Sequence, residues 1–267
     1  MAVRIDKYLV KHGKSSGRER AKEMVEAGLV SVNGKIVTKP SLEVFEGDRI
    51  EVGEDGNRFV GRGGEKLEAA IRTFEIDVSG LCAVDIGAST GGFTECLLRH
   101  GAARVYALDV GSGQLHPSLV ENPRVVSIDK YNARNIKYDD FGFCFDMAVM
   151  DVSFISQTLI LPALPPVLKD GAPFITLIKP QFESGRQNIG KGGIVKSAAA
   201  RRDAVIRVLD CAEENGFCCK GVIPSPIAGG DGNLEYFACF YNRYPHYNRP
   251  NDRKISEITA DIYSRDI

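Results

Sequence analysis

The chain has no tryptophan, only 4 histidines in 267 residues, and no Cys-x-x-Cys pair among its 7 cysteines. The histidines (His12, His100, His116, His246) are scattered, and most of the cysteines (Cys82, Cys96, Cys144, Cys211, Cys218, Cys219, Cys239) sit in apolar runs. This argues against a structural zinc centre or a disulfide framework, so no metal is expected; buried thiols of a reducing compartment are the simpler reading. Long apolar runs are missing too. No h-region marks a secretory signal. The most apolar stretch, 158–168, is short and broken by Pro162, Pro165 and Pro166, so it cannot span a bilayer. A cytoplasmic chain with no membrane partner is expected. The net charge of −1 excludes polyanion binding by bulk charge alone.

The charge is uneven, however. Residues 1–40 hold nine Lys/Arg against four acids, a local +5. Arg4, Lys7, Lys11, Lys14, Arg18, Arg20 and Lys22 cluster within two helical patterns. Charge runs are usually solvated faces, but this density favours phosphate contacts, which dominate RNA affinity. Arg58, Arg62 and Lys66 extend the basic stretch.

The first fifty residues read as a compact α/β module. RIDKYLVKHG places Ile5, Tyr8 and Leu9 on one side, and Gly13 stops it. A second helix puts Ala21, Met24 and Val25 inward and ends at Gly28. VSVNGKIV is a hairpin around Asn33-Gly34, suited to a type I′ turn. LEVFEGDRIEV alternates as one short strand, and the polar 53–59 stretch reads as a linker. Then comes a helix with Leu67, Ala70, Ile71 and Phe74 on one face. CAVDIG, RVYALDV, RVVSID, DMAVMDV and PFITLIKP follow as buried parallel strands alternating with helical stretches. A helix over 198–215 leads to a closing pair, CKGVIPSPI and EYFACFY. The fold class is α/β: a doubly wound sheet preceded by a small α/β domain. The expected boundaries are a small domain over 1–57, a linker over 58–64, the large domain over 65–245 and a tail over 246–267. The tail carries Ile255, Ile258 and Ile262 at helical spacing and is left open between docking helix, RNA contact and disorder.

The stretch VDIGASTGGFTECLLRHGAARVYALDVG raises the question of what its glycine turn holds. Its spacing is G-x-x-x-G-G, whereas a dinucleotide site asks for G-x-G-x-x-G. A phosphate-cradling Walker turn needs a lysine, and none lies between Lys66 and Lys130. What remains is an acid inside one strand (Asp85), a tight uncharged turn, and an acid ending the next strand (Asp109) that can accept ribose hydroxyls. Such a turn suits a ligand with a cationic centre and no phosphate.

That pattern matches the first motif of S-adenosylmethionine-dependent methyltransferases. The strings GASTGGFTECLL, DVGSGQL, DVSFIS, IKPQFE and GNLEYF together resemble the TlyA (haemolysin A) family of rRNA 2′-O-methyltransferases. The first sixty residues resemble the RNA-binding module named after ribosomal protein S-four, which that family carries. The resemblance covers about residues 4–241. It implies a Rossmann-like methyltransferase sheet, S-adenosylmethionine as cofactor, and ribosomal RNA or an assembled ribosomal subunit as partner. The implied product is a cytidine methylated at its ribose 2′-hydroxyl. Subunit, nucleotide and oligomeric state stay open.

The resemblance also carries roles. Lys66, Asp151, Lys179 and Glu235 match the Lys-Asp-Lys-Glu tetrad of RNA 2′-O-methyltransferases. A ribose hydroxyl is a poor nucleophile and needs a base; a desolvated lysine, or one set beside another cation, can take the proton. Lys179 is expected as base with Asp151 orienting it, while Lys66 and Glu235 position the ribose. Gly87, Ala88, Ser89, Thr90, Gly91, Gly92 and Phe93 would wrap the methionine part, beside Asp85. Asp109 would hold the ribose, and Asp129 would lie near the adenine amino group. DVSF lacks the prolines of enzymes that methylate base nitrogens. Two alternatives stand beside this reading: a non-catalytic ribosome-assembly factor, which would not need an intact tetrad, and a haemolysin, which no sequence feature supports.

Overall fold

The computed structural model describes residues 2–15, 17–26, 28–52, 59–229, 232–243, 251 and 254–257, with the side chains of Glu19, Arg20, Glu23 and Lys191 outside that description. Residues 53–58 of the expected 53–59 linker stretch, including Arg58, and the tail residues Ile258 and Ile262 lie outside the described residues. The chain divides into two units, Met1–Arg62 and Gly63–Ile267.

The first unit contains β1 (Val3–Arg4), α1 (Ile5–Lys11), α2 (Arg18–Glu26), β2 (Val30–Val32), β3 (Lys35–Val37), β4 (Glu43–Val44) and β5 (Ile50–Val52). Ile5, Leu9, Ala21, Met24, Val25, Val30, Val44 and Ile50 form its core. The Asn33-Gly34 turn has φ of 52° and 77°, the left-handed pair that a type I′ hairpin requires. LEVFEGDRIEV is two strands rather than one. Gly47, at φ 99°, turns the chain, and Asp48 accepts the Phe45 N–H at 2.7 Å. β4 then pairs with β1, while β5 pairs with β2.

The second unit contains α3 (Gly63–Thr73), β6 (Cys82–Ile86), α4 (Gly92–Arg99), β7 (Arg104–Leu108), α5 (Pro117–Val120) and β8 (Val125–Ile128). It continues with β9 (Met147–Met150), β10 (Pro173–Ile178), α6 (Pro180–Glu183), α7 (Ala198–Glu214), β11 (Phe217–Pro224) and β12 (Tyr236–Asn242). Helix α3 begins at Gly63, so the last residues of the expected 58–64 linker are helical. The seven strands run in the order β11-β12-β10-β9-β6-β7-β8. β6 to β10 are parallel; β12 is antiparallel to β10 and β11 to β12. The chain runs outward from β6 to β8, then returns to β9 on the other side of β6. That reversal opens a crevice at the strands' C-terminal edge, where doubly wound folds bind ligands.

Two crossovers lack the helices that the alternation predicted. Between β9 and β10 the prolines reduce 157–167 to three 3-10 turns, whose Leu161, Leu164 and Val167 are buried. Between β8 and β9 the cover is aromatic: Phe141, Phe143 and Phe145 pack edge-on against Tyr106, with centroids 5.3–5.8 Å away. Ile255, from the tail, is buried in the same core. Cys96, Cys219 and Cys239 are buried, and the other cysteines are half-buried. Burial pushes the Cys219 and Cys239 thiols up to about 12.

Candidate active site

Strand register brings the tetrad positions to one edge. Ile86 pairs with both Leu108 and Met150, so the residues that follow these strands (Gly87, Asp109, Asp151) emerge together. Ile178 pairs with Tyr236 across the β10–β12 ladder. Lys179 follows Ile178 where β10 ends and Glu235 precedes Tyr236 where β12 begins, so both lie at this edge.

The four residues form two ion pairs. Lys179 Nζ lies 2.6 Å from Asp151 Oδ1. The Asp151 oxygen is buried and makes no aligned hydrogen bond; Lys179 donates instead to Ser153 Oγ at 2.9 Å. Lys179 is thus shared between an ion pair with Asp151 and a hydrogen bond to Ser153. Lys66 Nζ donates to Glu235 Oε2 at 2.6 Å, and these side chains are 10% and 3% exposed. Lys66 is therefore not the solvated helix lysine that its position on an amphipathic helix would suggest. Burial of a charge at this depth requires its partner.

Glycines let the pieces close. A Cβ on Gly87 (φ +83°) would stand 2.5 Å from the Asp151 carbonyl oxygen, so only glycine lets β6 end against β9. A Cβ on Gly63 would stand 3.9 Å from Asp151 Oδ2, which brings the start of α3 to the carboxylate. A Cβ on Gly229 would stand 2.6 Å from Glu235 Oε1.

The turn itself is fastened by backbone. Gly87 and Ala88 donate to the Leu108 carbonyl at 2.9 and 3.1 Å, Gly91 donates to Ala88, and the Thr90 carbonyl accepts from His116 N. Gly91 has φ +96°, and its missing side chain leaves room for Leu115 and Leu119. Gly92 opens α4. Asp109 accepts from Ser89 N and Gly111 N, both at 2.7 Å, and so ties the turn to the loop after β7. Each carboxylate oxygen keeps a second lone pair for a ligand hydroxyl. Asp129 is exposed and accepts from Gly113 N at 2.7 Å. Phe93 faces inward: it is 3% exposed and stacks on Phe237 at 6.2 Å, so it anchors the turn to the sheet.

Asp85 is fully buried, with Oδ2 held by Thr94 Oγ1 at 2.7 Å and Oδ1 without a hydrogen-bond partner. Burial, with smaller contributions from the nearby Asp151 and Asp109 charges, pushes its carboxyl up to about 7 against the pull of Thr94. An orphaned carboxylate oxygen under an uncharged glycine cradle fits a cationic ligand such as the sulfonium and ammonium groups of S-adenosylmethionine; a phosphate ligand would be repelled.

Sequence reasoning did not single out Phe154 as a site residue. It is 92% exposed, has φ +64°, and its ring lies 5.1 Å from that of Phe182. Each ring follows a tetrad residue by three positions, Asp151 and Lys179 respectively. Phe154, exposed and backed by the half-buried Phe182, can stack a nucleobase at this edge. Its signal in the sequence was the parallel spacing within DVSF and KPQF.

In the first unit, Lys7, Lys11 and Lys14 are exposed and Lys22 is half-buried. Arg4 and Arg18 are committed elsewhere in part. Arg4 Nη2 and Arg18 Nε lie 2.9 and 3.2 Å from Oδ2 of Asp6, which is fully buried. Arg4, Arg18 and the Lys7 backbone N–H hold the Asp6 carboxyl below its usual value against the opposing effect of burial. Arg20 lies on α2 and Arg62 closes the unit. Among the described residues, no group of three or more His, Cys, Asp or Glu side chains could hold a metal ion, and no helix is long and apolar enough to cross a membrane.

Residues 59–242 match the model of the FtsJ-like methyltransferases, and residues 3–50 match the S4 domain. The chain is 43% identical over 236 residues to the 16S/23S rRNA (cytidine-2′-O)-methyltransferase TlyA of Mycobacterium tuberculosis, covering 88% of each chain. It is 43% identical over 243 residues to Hemolysin A of Brachyspira hyodysenteriae, covering 89% of this chain and 99% of that one. A solved structure from Streptococcus thermophilus, described as a candidate hemolysin, superposes with a TM-score of 0.79 at 40% identity, over 98% of this chain and 96% of that one.

Proposed function

The chain belongs to the FtsJ-like methyltransferase family, joined to an S4 domain, and from that premise we propose that it methylates the ribose 2′-hydroxyl of a cytidine in ribosomal RNA. The observation that carries this reading is the pair of ion pairs, Lys179–Asp151 and Lys66–Glu235, at the edge where the glycine turn opens. A binding-only protein has no use for two such pairs, one of them buried, beside an Asp85 whose Oδ1 has no hydrogen-bond partner.

S-adenosylmethionine, when bound, supplies a methyl group on a sulfonium that leaves as a neutral thioether, so no general acid is needed. Asp85 and the 87–92 turn would hold its cationic methionine end, and Asp109 its ribose hydroxyls. Lys179 takes the proton of the 2′-hydroxyl while the oxygen's electron pair forms the new carbon–oxygen bond. Asp151, 2.6 Å away, balances the ammonium that results. Ser153 keeps Nζ on line. Lys66 and Glu235 fix the ribose from the other side of the ladder, and the Phe154–Phe182 rings stack the base of a nucleotide drawn out of its helix. The S4 domain adds RNA affinity through Lys7, Lys11, Lys14 and their basic neighbours.

The test is methyl transfer from labelled S-adenosylmethionine to each purified ribosomal subunit and to naked rRNA. Label recovered in alkali-resistant dinucleotides identifies ribose methylation and its substrate. Label confined to free bases would contradict it.

A further inference from the structure

Lys179 and Asp151 begin two loops whose far ends also meet. Glu183 closes α6, is buried, and accepts hydrogen bonds from Ser156 Oγ at 2.5 Å and Gln157 N at 2.8 Å. Ser156 and Gln157 belong to the loop after β9, and Glu183 to the segment after β10. The Gln157 side chain, buried too, threads between the strands: Nε2 donates to the Leu177 carbonyl at 2.6 Å and Oε1 accepts from Thr176 Oγ1 at 2.8 Å. From α7, Arg207 Nη1 donates to the Glu183 carbonyl at 2.6 Å. The Phe154 and Phe182 rings, the first exposed and the second half-buried, belong to the two tied segments. Phe154 lies between Ser153, which accepts from Lys179, and Ser156, which donates to Glu183; Phe182 directly precedes Glu183.

A buried carboxylate is costly, and the reaction derived above gives it nothing to do. Burial raises its carboxyl above the usual value, opposed by Gln157 N, by Ser156 and by the charge of Arg207. Resting on the methyl-transfer reading, we propose that Glu183 is a positioning residue: it locks the Asp151 loop to the Lys179 loop, and so holds the Lys179 amine and the Phe154–Phe182 pair in one fixed arrangement toward the target nucleotide. It touches no reacting atom. It replaces the loop freedom that would let Phe154, 92% exposed and in a left-handed conformation, drift from its partner ring. Rate then depends on Glu183 through geometry, since a misplacement of about 1 Å can cost on the order of 100-fold.

The test uses the full chain in two arms. In the first, steady-state methyl transfer is compared for the parent, Glu183→Ala and Glu183→Gln, with S-adenosylhomocysteine affinity measured directly. Glu183→Ala should lower kcat roughly 10- to 100-fold while cofactor affinity stays near the parent's. Glu183→Gln should recover much of the loss, because its carbonyl can still accept from Gln157 N while the Ser156 hydroxyl turns to accept from its amide. The second arm exploits the absence of tryptophan: Phe154→Trp creates a single reporter. Its fluorescence anisotropy should fall when Glu183→Ala or Ser156→Ala is added, and should not fall with Val205→Ala, a core truncation on α7. An anisotropy unchanged by Glu183→Ala, or a kcat that falls only as far as in the Val205→Ala control, would overturn the proposal. A parent that methylates no RNA would sink the functional reading, and the reporter arm would still decide whether Glu183 locks the loops.

Discussion

Lys66 Nζ and Glu235 Oε2 lie 2.6 Å apart and buried, although 169 residues separate them in the chain. The pair ties the helix that enters the methyltransferase unit to the strand that closes its sheet. Removing one partner leaves an unpaired buried charge, at a cost of about 3–5 kcal/mol. Lys66→Ala and Glu235→Ala should each lower stability by that order. The double variant should lose less than the sum, which urea titrations arranged as a double-mutant cycle will read.

Cofactor affinity should depend on pH through Asp85, whose carboxyl burial lifts to about 7. A cationic ligand prefers the ionised form. Affinity for S-adenosylmethionine, which carries the sulfonium, should therefore rise with pH, by at most about tenfold per unit, and level off above about 7. The sign for the ligand-free protein is opposite. Its folded value exceeds the usual 3.8, so the stability contributed is full below about 4, falls between about 4 and about 7, and is flat above. Calorimetric titrations between pH 5.5 and 8 that show constant affinity would remove Asp85 from the cofactor site.

Gly87 has no tolerance for a side chain, since a Cβ would press within 2.5 Å of the Asp151 carbonyl at a φ of +83°. Gly87→Ala should displace the backbone that carries Asp151 and abolish methyl transfer. Gly113→Ala, also at positive φ but with open space around it, serves as the control and should cost only about 1–2 kcal/mol of backbone strain. Thermal melts together with activity assays separate the two.

The basic cluster should split into two classes. Lys7→Ala, Lys11→Ala and Lys14→Ala should weaken RNA binding at every sequence and shrink its salt slope by about 0.7–0.9 per lost phosphate contact. Arg4→Ala and Arg18→Ala should instead lower the melting temperature of the S4 domain, because they leave the buried Asp6 charge undercompensated. Filter binding at several salt concentrations, beside thermal melts, gives both readings.

Much of this was legible in the sequence because strand ends are local. The apolar runs marked the strands, and each charge placed just beyond a run (Asp109, Asp151, Lys179) had to emerge at the sheet's edge. What escaped was set by partners distant in sequence. Nothing local told that Lys66 is buried, because its carboxylate comes from the other end of the domain. Two of the basic residues turned out to serve Asp6, one of the four acids among them, whose burial no local pattern marks. Glu183 was masked for the same reason, since its donors sit 26 and 27 residues earlier. The missing crossover helices were foreshadowed by Pro162, Pro165 and Pro166, but the aromatic cover from Phe141 to Phe145 packs on Tyr106, a partner distant in sequence.

The most direct test of the central claim is single-turnover methyl transfer by the parent and by Lys179→Ala on the same ribosomal substrate, with cofactor and RNA affinities measured in parallel. The account predicts that the variant still binds both, while the rate of 2′-O-methylation falls by about 10²- to 10⁴-fold, the range a positioned base supplies. A variant that transfers the methyl group at the parent's rate would contradict the assignment of Lys179 as the base.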